Sequence, residues 1–196
     1  MFNSGKSVNE LITELKNEVD IALDIPDSTY IGWLNAIEQL CYSEIIKEQR
    51  EITVSNPTSP ISLSELTVSD EESPIRFEDV YAVYADGVQL MKTTLASGQI
   101  FPDTFYKDND DLGFNSPYMT KELTIIYLAR PKIRTSATGN VMFPVEFIDL
   151  VKAKMRGEAY KLVNEDALAG KWLNDYNASL ENFKAWCNNR ASQFGI

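Results

Sequence analysis

Apolar residues recur at three- and four-residue intervals near the start of the chain, the spacing of one helix face. A first helix is predicted to begin at a capping box, in which Ser7 and Glu10 satisfy each other's amides. A second helix is predicted after Asp27 or Ser28, which are both favourable N-cap residues. The apolar stripes are Val8, Leu11, Ile12, Leu15, Val19, Ala22 and Leu23, and then Ile31, Leu34, Ile37, Leu40, Cys41 and Ile45.

The same period returns near the end of the chain. One helix is predicted from Phe143-Pro144, because proline is favoured at the first helical position. Gly157 inside it indicates either close helix packing or a kink. A last helix is predicted from about Asp166 to Ala191. The apolar stripes are Phe147, Ile148, Val151, Met155, Ala159, Leu162 and Val163, and then Leu168, Trp172, Leu173, Tyr176, Leu180, Phe183 and Cys187.

Between these helices the pattern is typical of β-structure. The residues from Tyr81 to Lys92 predict a hairpin, since Asp86-Gly87 suits a two-residue turn with two positive φ angles. Leu123–Ala129 is apolar on both faces and predicts a central strand. Weaker strands are predicted at Ile61–Leu63, Thr104–Lys107 and Ile133–Thr135.

This order of elements predicts an α+β fold. Residues 1–50 form an N-terminal helix pair, and residues 141–196 form a C-terminal helix pair that packs with it as one helical bundle. Residues 51–140 are then a β-rich insertion in that helical core.

Composition narrows the functions that are open to the chain. A net charge of −11 and the absence of histidine argue against tight phosphate binding, histidine-based catalysis and the usual zinc sites. We therefore expect a chain that is not an enzyme and binds no cofactor, metal or specific nucleic acid. Neither a signal peptide nor a membrane span is recognised, so a soluble intracellular protein is expected. The basic run of Arg130, Lys132 and Arg134 is interpreted as a solvated loop, with a nucleic-acid contact as the alternative.

The cysteines and two acidic segments are further candidate sites. Cys41 and Cys187 are interpreted as buried free thiols, with a bridge between the terminal helices as the alternative. The acidic residues from Asp108 to Asn115 resemble a calcium loop, but the spacing fails because Leu112 and Met119 occupy ligand positions. That segment, like the run of Asp70, Glu71 and Glu72, is interpreted as a solvated loop.

Two functions remain open from the residues alone. A carbohydrate- or protein-binding module would present exposed aromatic residues on the β region, whereas a small sheet would use the same residues in its core. A carboxylate-based glycan hydrolase would need two facing carboxylates across a cleft. The aromatic residues in question are Tyr81, Tyr84, Phe105, Tyr106 and Tyr118.

The two terminal stretches carry a family resemblance. VNELITELKNEVDIALDIPDSTYIGWLNAIEQLCYSEIIKEQ and MRGEAYKLVNEDALAGKWLNDYNASLENFKAWCNNR resemble the flanking helices of tailed-bacteriophage head-to-tail connector proteins. The β-rich middle departs from the small members of that family, which are almost wholly helical. The resemblance rests on the helical pattern and carries no invariant motif.

This resemblance implies a structural virion protein of the phage neck, assembled in the host cytoplasm. It implies an adaptor subunit in a homo-oligomeric, dodecameric ring that joins the portal protein to a downstream tail or neck protein and extends the DNA channel. No catalytic residue is transferred and no membrane partner is expected. The C-terminal segment is the expected portal-docking region, at Phe183, Trp186, Arg190 and Phe194.

Overall fold

The chain has the predicted α+β fold and divides into two compact units. The computed structural model describes residues 2–19, 24–66, 68–70, 72–94, 101–116 and 120–194, and only the backbone of 191–194. The helical unit comprises residues 1–46 and 133–196, and the β unit comprises residues 47–132. Both boundaries fall earlier than the predicted 50/51 and 140/141. Glu48 already belongs to the β unit, where its carbonyl accepts from the Ala129 amide, and residues 134–141 hydrogen-bond to residues of the helical unit.

The described residues of the helical unit form four α-helices. The second continues into one π-helical turn at Tyr42–Ile46, and the third follows a 3-10 turn at Val145–Phe147. Pro144 caps that 3-10 turn, so the third helix does not begin at Phe143-Pro144 as predicted. The helices are α1, Val8–Glu18; α2, Asp27–Cys41; α3, Ile148–Leu162; and α4, Asp166–Phe194.

The predicted apolar stripes supply most of the helical core. Leu11, Leu15 and Leu34 are fully buried. The prediction is wrong for three leucines, which are exposed instead of buried: Leu40 is 49% exposed, Leu162 51% and Leu168 41%. Leu162 ends α3 and Leu168 lies in the first turn of α4, where fewer neighbouring side chains cover them. Beside Leu40, Cys41 and Tyr42 take the core positions, and the Tyr42 hydroxyl accepts a 2.8 Å hydrogen bond from the Phe2 amide.

Gly157 marks close helix packing, which was one of its two predicted roles. A Cβ at this position of α3 would lie 2.8 Å from Leu173 Cγ and 3.5 Å from the Ala169 carbonyl oxygen, both on α4. The missing side chain therefore lets α4 approach the backbone of α3.

The β unit is a single six-stranded sheet with the order β1-β6-β2-β3-β4-β5. Its neighbouring strands are antiparallel except for β3 and β4, which run parallel and pair at Met91 and Thr104. The strands are β1, Gln49–Ser55; β2, Val80–Ala85; β3, Val88–Lys92; β4, Thr104–Asp108; β5, Asp111–Asn115; and β6, Glu122–Leu128.

The strongest strand predictions are confirmed. β2 and β3 form the hairpin, with φ of 47° at Asp86 and 83° at Gly87, as the turn requires. The Asp86 carboxylate accepts hydrogen bonds from the amides of Lys121 and Glu122 at 3.0 and 2.9 Å, which ties the turn to the start of β6. β6 lies between β1 and β2, as predicted for a central strand.

Of the weaker strands, only Thr104–Lys107 is confirmed, as β4. Ile61 makes a single bridge to Leu112, and Leu63 begins a 3-10 turn instead of continuing a strand. Ile133–Thr135 forms no strand, because the backbone of Arg134 bonds in both directions to the Asn35 side chain.

Candidate functional site

Aromatic side chains gather where the C-terminal half of α4 meets the N-terminal end of α3. Phe183 is fully buried, and its ring centroid lies 4.9 Å from both Phe143 and Phe147. Trp186 is half-buried and stacks over Phe183 at 6.1 Å. Phe2, next to the N-terminus, packs on Trp186 at 5.6 Å. We call Phe2, Trp186 and Arg190 the aromatic corner; Phe2 and Trp186 are partly exposed and Arg190 is exposed.

Arg190 lies over the two aromatic rings of this corner. Its guanidinium carbon is 5.2 Å from the Trp186 centroid and 5.3 Å from the Phe2 centroid, within the range of cation–π attraction. The residue itself is exposed. The aromatic corner thus places the positive charge of Arg190 over the apolar rings of Trp186 and Phe2, on a chain that is strongly acidic.

The four predicted docking residues differ in position and exposure. Trp186 and Arg190 come together at the aromatic corner. Phe183 is fully buried beneath the aromatic cluster, so it does not reach the surface. The backbone of Phe194 belongs to α4, and its side chain lies outside the described residues. The sequence analysis did not include Phe2 in this cluster. Its only sequence signal is an aromatic residue beside the N-terminus.

Both cysteines are free thiols, so no bridge clamps the helices. Cys41 is fully buried on α2, and burial raises the pKa of its thiol to about 12. Cys187 is half-buried on α4, and burial raises its pKa to about 11. Thiols held in the protonated form at neutral pH are poor nucleophiles.

The helical unit contains one buried ion pair among its described residues. Glu38 is 1% exposed, and burial raises the pKa of its carboxyl despite the Arg134 guanidinium that donates to it. The Met142 amide donates to the other carboxylate oxygen at 2.7 Å. Arg134 also donates to the Asn140 carbonyl at 2.7 Å, so its prediction as a solvated loop residue was wrong. The pair fastens the 134–142 segment to α2.

Two carboxylates are buried among the described residues of the β unit. Glu72 was predicted in a solvated loop, but it is 3% exposed and accepts from Arg50 Nη1 at 2.6 Å and from the Tyr127 hydroxyl at 2.9 Å. Burial, followed by that hydrogen bond, raises the pKa of Tyr127 to about 12. Asp79 accepts from Arg130 Nε at 2.6 Å, so Arg130 is not a solvated loop residue either. Asp70 lies in a turn, and Glu71 lies outside the described residues.

The acidic segment from Asp108 is a hairpin. Asn109 and Asp110 are exposed at its turn, as predicted, and Asn109 has a φ of 56°. The remainder, predicted as loop, is β5, in which Leu112 is fully buried. Within the described ranges no three His, Cys, Asp or Glu side chains converge as a metal site would require. Met119 lies outside those ranges.

The aromatic residues of the β unit form no continuous exposed strip in the described part. Phe105 and Tyr106 are buried at 2% and 7% exposure, so core packing is the correct prediction for both. Tyr81 is 65% exposed at a bulge in β2, and Tyr84 is half-buried on the same strand. Tyr118 lies outside the described residues.

No protein-family model matches the chain, and no curated protein matches its sequence. None of the helices described here is both long and apolar enough to cross a bilayer. The structure therefore defines a class by its fold alone: an α+β chain whose helical unit is built from both ends of the sequence, with a β unit between them.

Proposed function

We propose that the chain is a structural subunit of the tailed-phage neck, an adaptor that assembles as a ring between the portal and the tail and extends the DNA channel. The observation that carries the proposal is the helical unit, which residues 1–46 and 133–196 build together. These two regions contain most of the stretches that resemble head-to-tail connectors, which are residues 8–49 and 155–190. A β unit inserted between them adds a second surface for contacts within an assembly.

The distribution of positive charge supports a channel role. Most lysines and arginines in the described part pair with carboxylates, which offsets much of the charge that would attract phosphate, and the net charge of −11 repels DNA. An acidic ring would let a genome pass without adhering. The paired residues are Lys6, Lys16, Arg50, Arg76, Lys107, Arg130, Arg134, Lys152, Lys154, Arg156, Lys161 and Lys184.

The alternatives find less support. A hydrolase needs a carboxyl of raised pKa that faces a second carboxylate in an open cleft. Glu38 has the raised pKa, but it is 1% exposed and its oxygens bond to Arg134 and to the Met142 amide. A binding module needs exposed aromatics, and Phe105 and Tyr106 are committed to the core of the β unit.

The test is the mass in solution, by light scattering, of the protein alone and mixed with the portal protein of the same phage. We expect a particle that contains many 22.1 kDa subunits, formed either by the protein alone or only on the portal. A chain that stays off the portal at high concentration contradicts the proposal.

The aromatic corner is the proposed portal contact, and one substitution tests it. Arg190→Ala removes the exposed charge over Trp186 and Phe2. Loss of an interface arginine is expected to weaken portal binding by roughly tenfold or more. Lys184→Ala is the matched control, because it removes one partly exposed charge from the same helix, where Lys184 pairs only locally with Glu181. Equal effects of both changes would place the contact elsewhere.

A further inference from the structure

The two edges of the sheet are treated differently. At the β5 edge, Leu112 exchanges two backbone hydrogen bonds of 2.9 Å with Ile61, and the Phe114 amide donates to the Ser59 hydroxyl at 2.9 Å. At the other edge, β1 pairs with β6 along all seven of its residues, and within the described chain no segment pairs with its outer side. Open edges of this length are templates for another strand.

The hydrogen-bond pattern shows which groups face outward. The Ala129 amide donates to the Glu48 carbonyl, and the Asn56 amide donates to the Lys121 carbonyl, at the two ends of the β1–β6 ladder. Bonded pairs alternate in an antiparallel ladder, so residues 50, 52 and 54 also bond to β6. The backbone groups of Gln49, Glu51, Thr53 and Ser55 therefore point away from the sheet.

β1 is complementary to itself in one antiparallel register. With Ile52 opposite Ile52 of a second copy, all seven residues overlap, and the outward-facing residues meet as Gln49 with Ser55 and Glu51 with Thr53. Arg50 then lies opposite Val54, so no charge directly faces a like charge. A shift to the register centred on Glu51 would place the two glutamates opposite each other.

The faces of the strand agree with this register. Ile52 and Val54 are half-buried on the side of β1 that packs toward the core, next to the half-buried Arg50. A second β1 would extend that apolar row across the dyad and cover it. The Arg50 guanidinium is already held by Glu48 and Glu72 at 2.9 and 2.6 Å, so only its stem needs to pack against Val54.

We propose that the open edge of β1 binds the β1 strand of a second copy of this chain, antiparallel about a dyad at Ile52, and joins two sheets into one. A dyad contact is isologous and closes at two subunits, so it differs from the head-to-tail contacts of a ring. The inference is therefore independent of the proposed neck function. The free protein would then be a dimer in which each β1 strand covers the open edge of the other.

Cysteine cross-linking tests the register. Ile52 lies in a non-hydrogen-bonded pair with its own copy, where Cα atoms are about 4.5 Å apart and a disulfide can form. Ile52→Cys is expected to cross-link under mild oxidation at least tenfold faster than Val54→Cys, whose two copies would lie about 13 Å apart along the strands. The wild type measures any contribution of Cys41 and Cys187. Equal rates, or no cross-linked dimer, would overturn the proposal.

A proline variant tests the edge itself. Thr53→Pro removes an outward amide without removing a bond to β6, and proline is tolerated on an edge strand in that orientation. The wild-type protein is expected to have the mass of a dimer in solution, twice 22.1 kDa. The dimer fraction should rise at high salt, because salt screens the repulsion between two chains of charge −11. Thr53→Pro is expected at 22.1 kDa, and the control Thr53→Ser at the wild-type mass.

Three outcomes separate the possibilities. A wild type that stays monomeric at every concentration overturns the dimer. A dimer that persists in a folded Thr53→Pro variant overturns it too, because the dimer contact then lies elsewhere. Ring formation on the portal by Thr53→Pro would support the neck function whatever the edge does, so failures of the two proposals are distinguishable.

Discussion

The two units of the chain bury charge to different extents. In the helical unit the core is almost entirely apolar and aromatic, with Glu38 as the buried carboxylate among its described residues. In the smaller β unit both Glu72 and Asp79 are 3% exposed, and each is held by an arginine. Long helices bury enough apolar surface to fix one another, whereas the six short strands are also fastened by directional bonds.

This difference affects what each unit tolerates. Apolar packing loses free energy in proportion to the volume removed, and nearby side chains can partly relax. An arginine–carboxylate pair fixes geometry, and breaking it leaves a buried charge without its partner. The helical unit is thus expected to respond mainly to changes of volume, and the β unit mainly to changes of geometry.

The largest expected effect is loss of a core ring from the helical unit. Phe183→Ala removes a fully buried ring that packs on Phe143 and Phe147, and should lower the free energy of unfolding by about 3–5 kcal/mol. Urea unfolding followed by tryptophan fluorescence measures it, since all three tryptophans lie in this unit. Leu168→Ala, at a position 41% exposed on the same helix, is the control and should change stability by less than about 1 kcal/mol. Similar losses for both would contradict the assigned core.

A matched pair of glycines tests how each unit responds to an added methyl group. In Gly113→Ala the new Cβ would lie 2.7 Å from Tyr106 Cδ2 and closer to other ring atoms, and a buried ring has little room to shift. The free energy of unfolding is expected to fall by about 1–3 kcal/mol. Gly157→Ala meets the flexible Leu173 side chain and gains helix propensity, so the net change should stay within about 1 kcal/mol.

The two glycine variants need separate probes. Amide hydrogen exchange of β4 and β5 reports on Gly113→Ala, and tryptophan fluorescence reports on Gly157→Ala. If Gly157→Ala were the more damaging of the two, the helical unit would be the less adaptable one, and the comparison would be reversed.

Sequence patterns predicted the elements whose signals are local. The capping box at Ser7, the Asp86-Gly87 hairpin and the central strand β6 each follow from a few neighbouring residues, and the structure contains all three. β5 was missed because Asp111, Gly113 and Asn115 are poor strand formers. Its strand depends on pairing with β4 and on the Tyr106 ring that covers Gly113.

The buried charges and the aromatic corner were beyond sequence reasoning for a similar reason. Glu38 and Arg134 are 96 residues apart, and Arg50 and Glu72 are 22 apart, so neither pair has a periodic signal. A charged residue in a polar run is ordinarily solvated. Phe183 was placed on the correct helix face, but whether that face meets solvent or core depends on Phe143 and Phe147.

The smallest expected effect separates a predicted helix cap that forms from one that does not. The Ser7 hydroxyl accepts a 3.1 Å hydrogen bond from the Glu10 amide, so Ser7→Ala should lower the free energy of unfolding by about 1 kcal/mol. Ser28 was an equally favourable candidate from sequence, but α2 begins at Asp27 with Pro26 as its N-cap and no side-chain cap bond. Ser28→Ala therefore removes no cap and places a better helix former in the first turn, so stability should stay the same or rise slightly. Tryptophan fluorescence during urea unfolding measures both variants. Equal losses at the two serines would mean that Ser28 caps α2, and that the helix begins at Thr29, two residues later than Asp27.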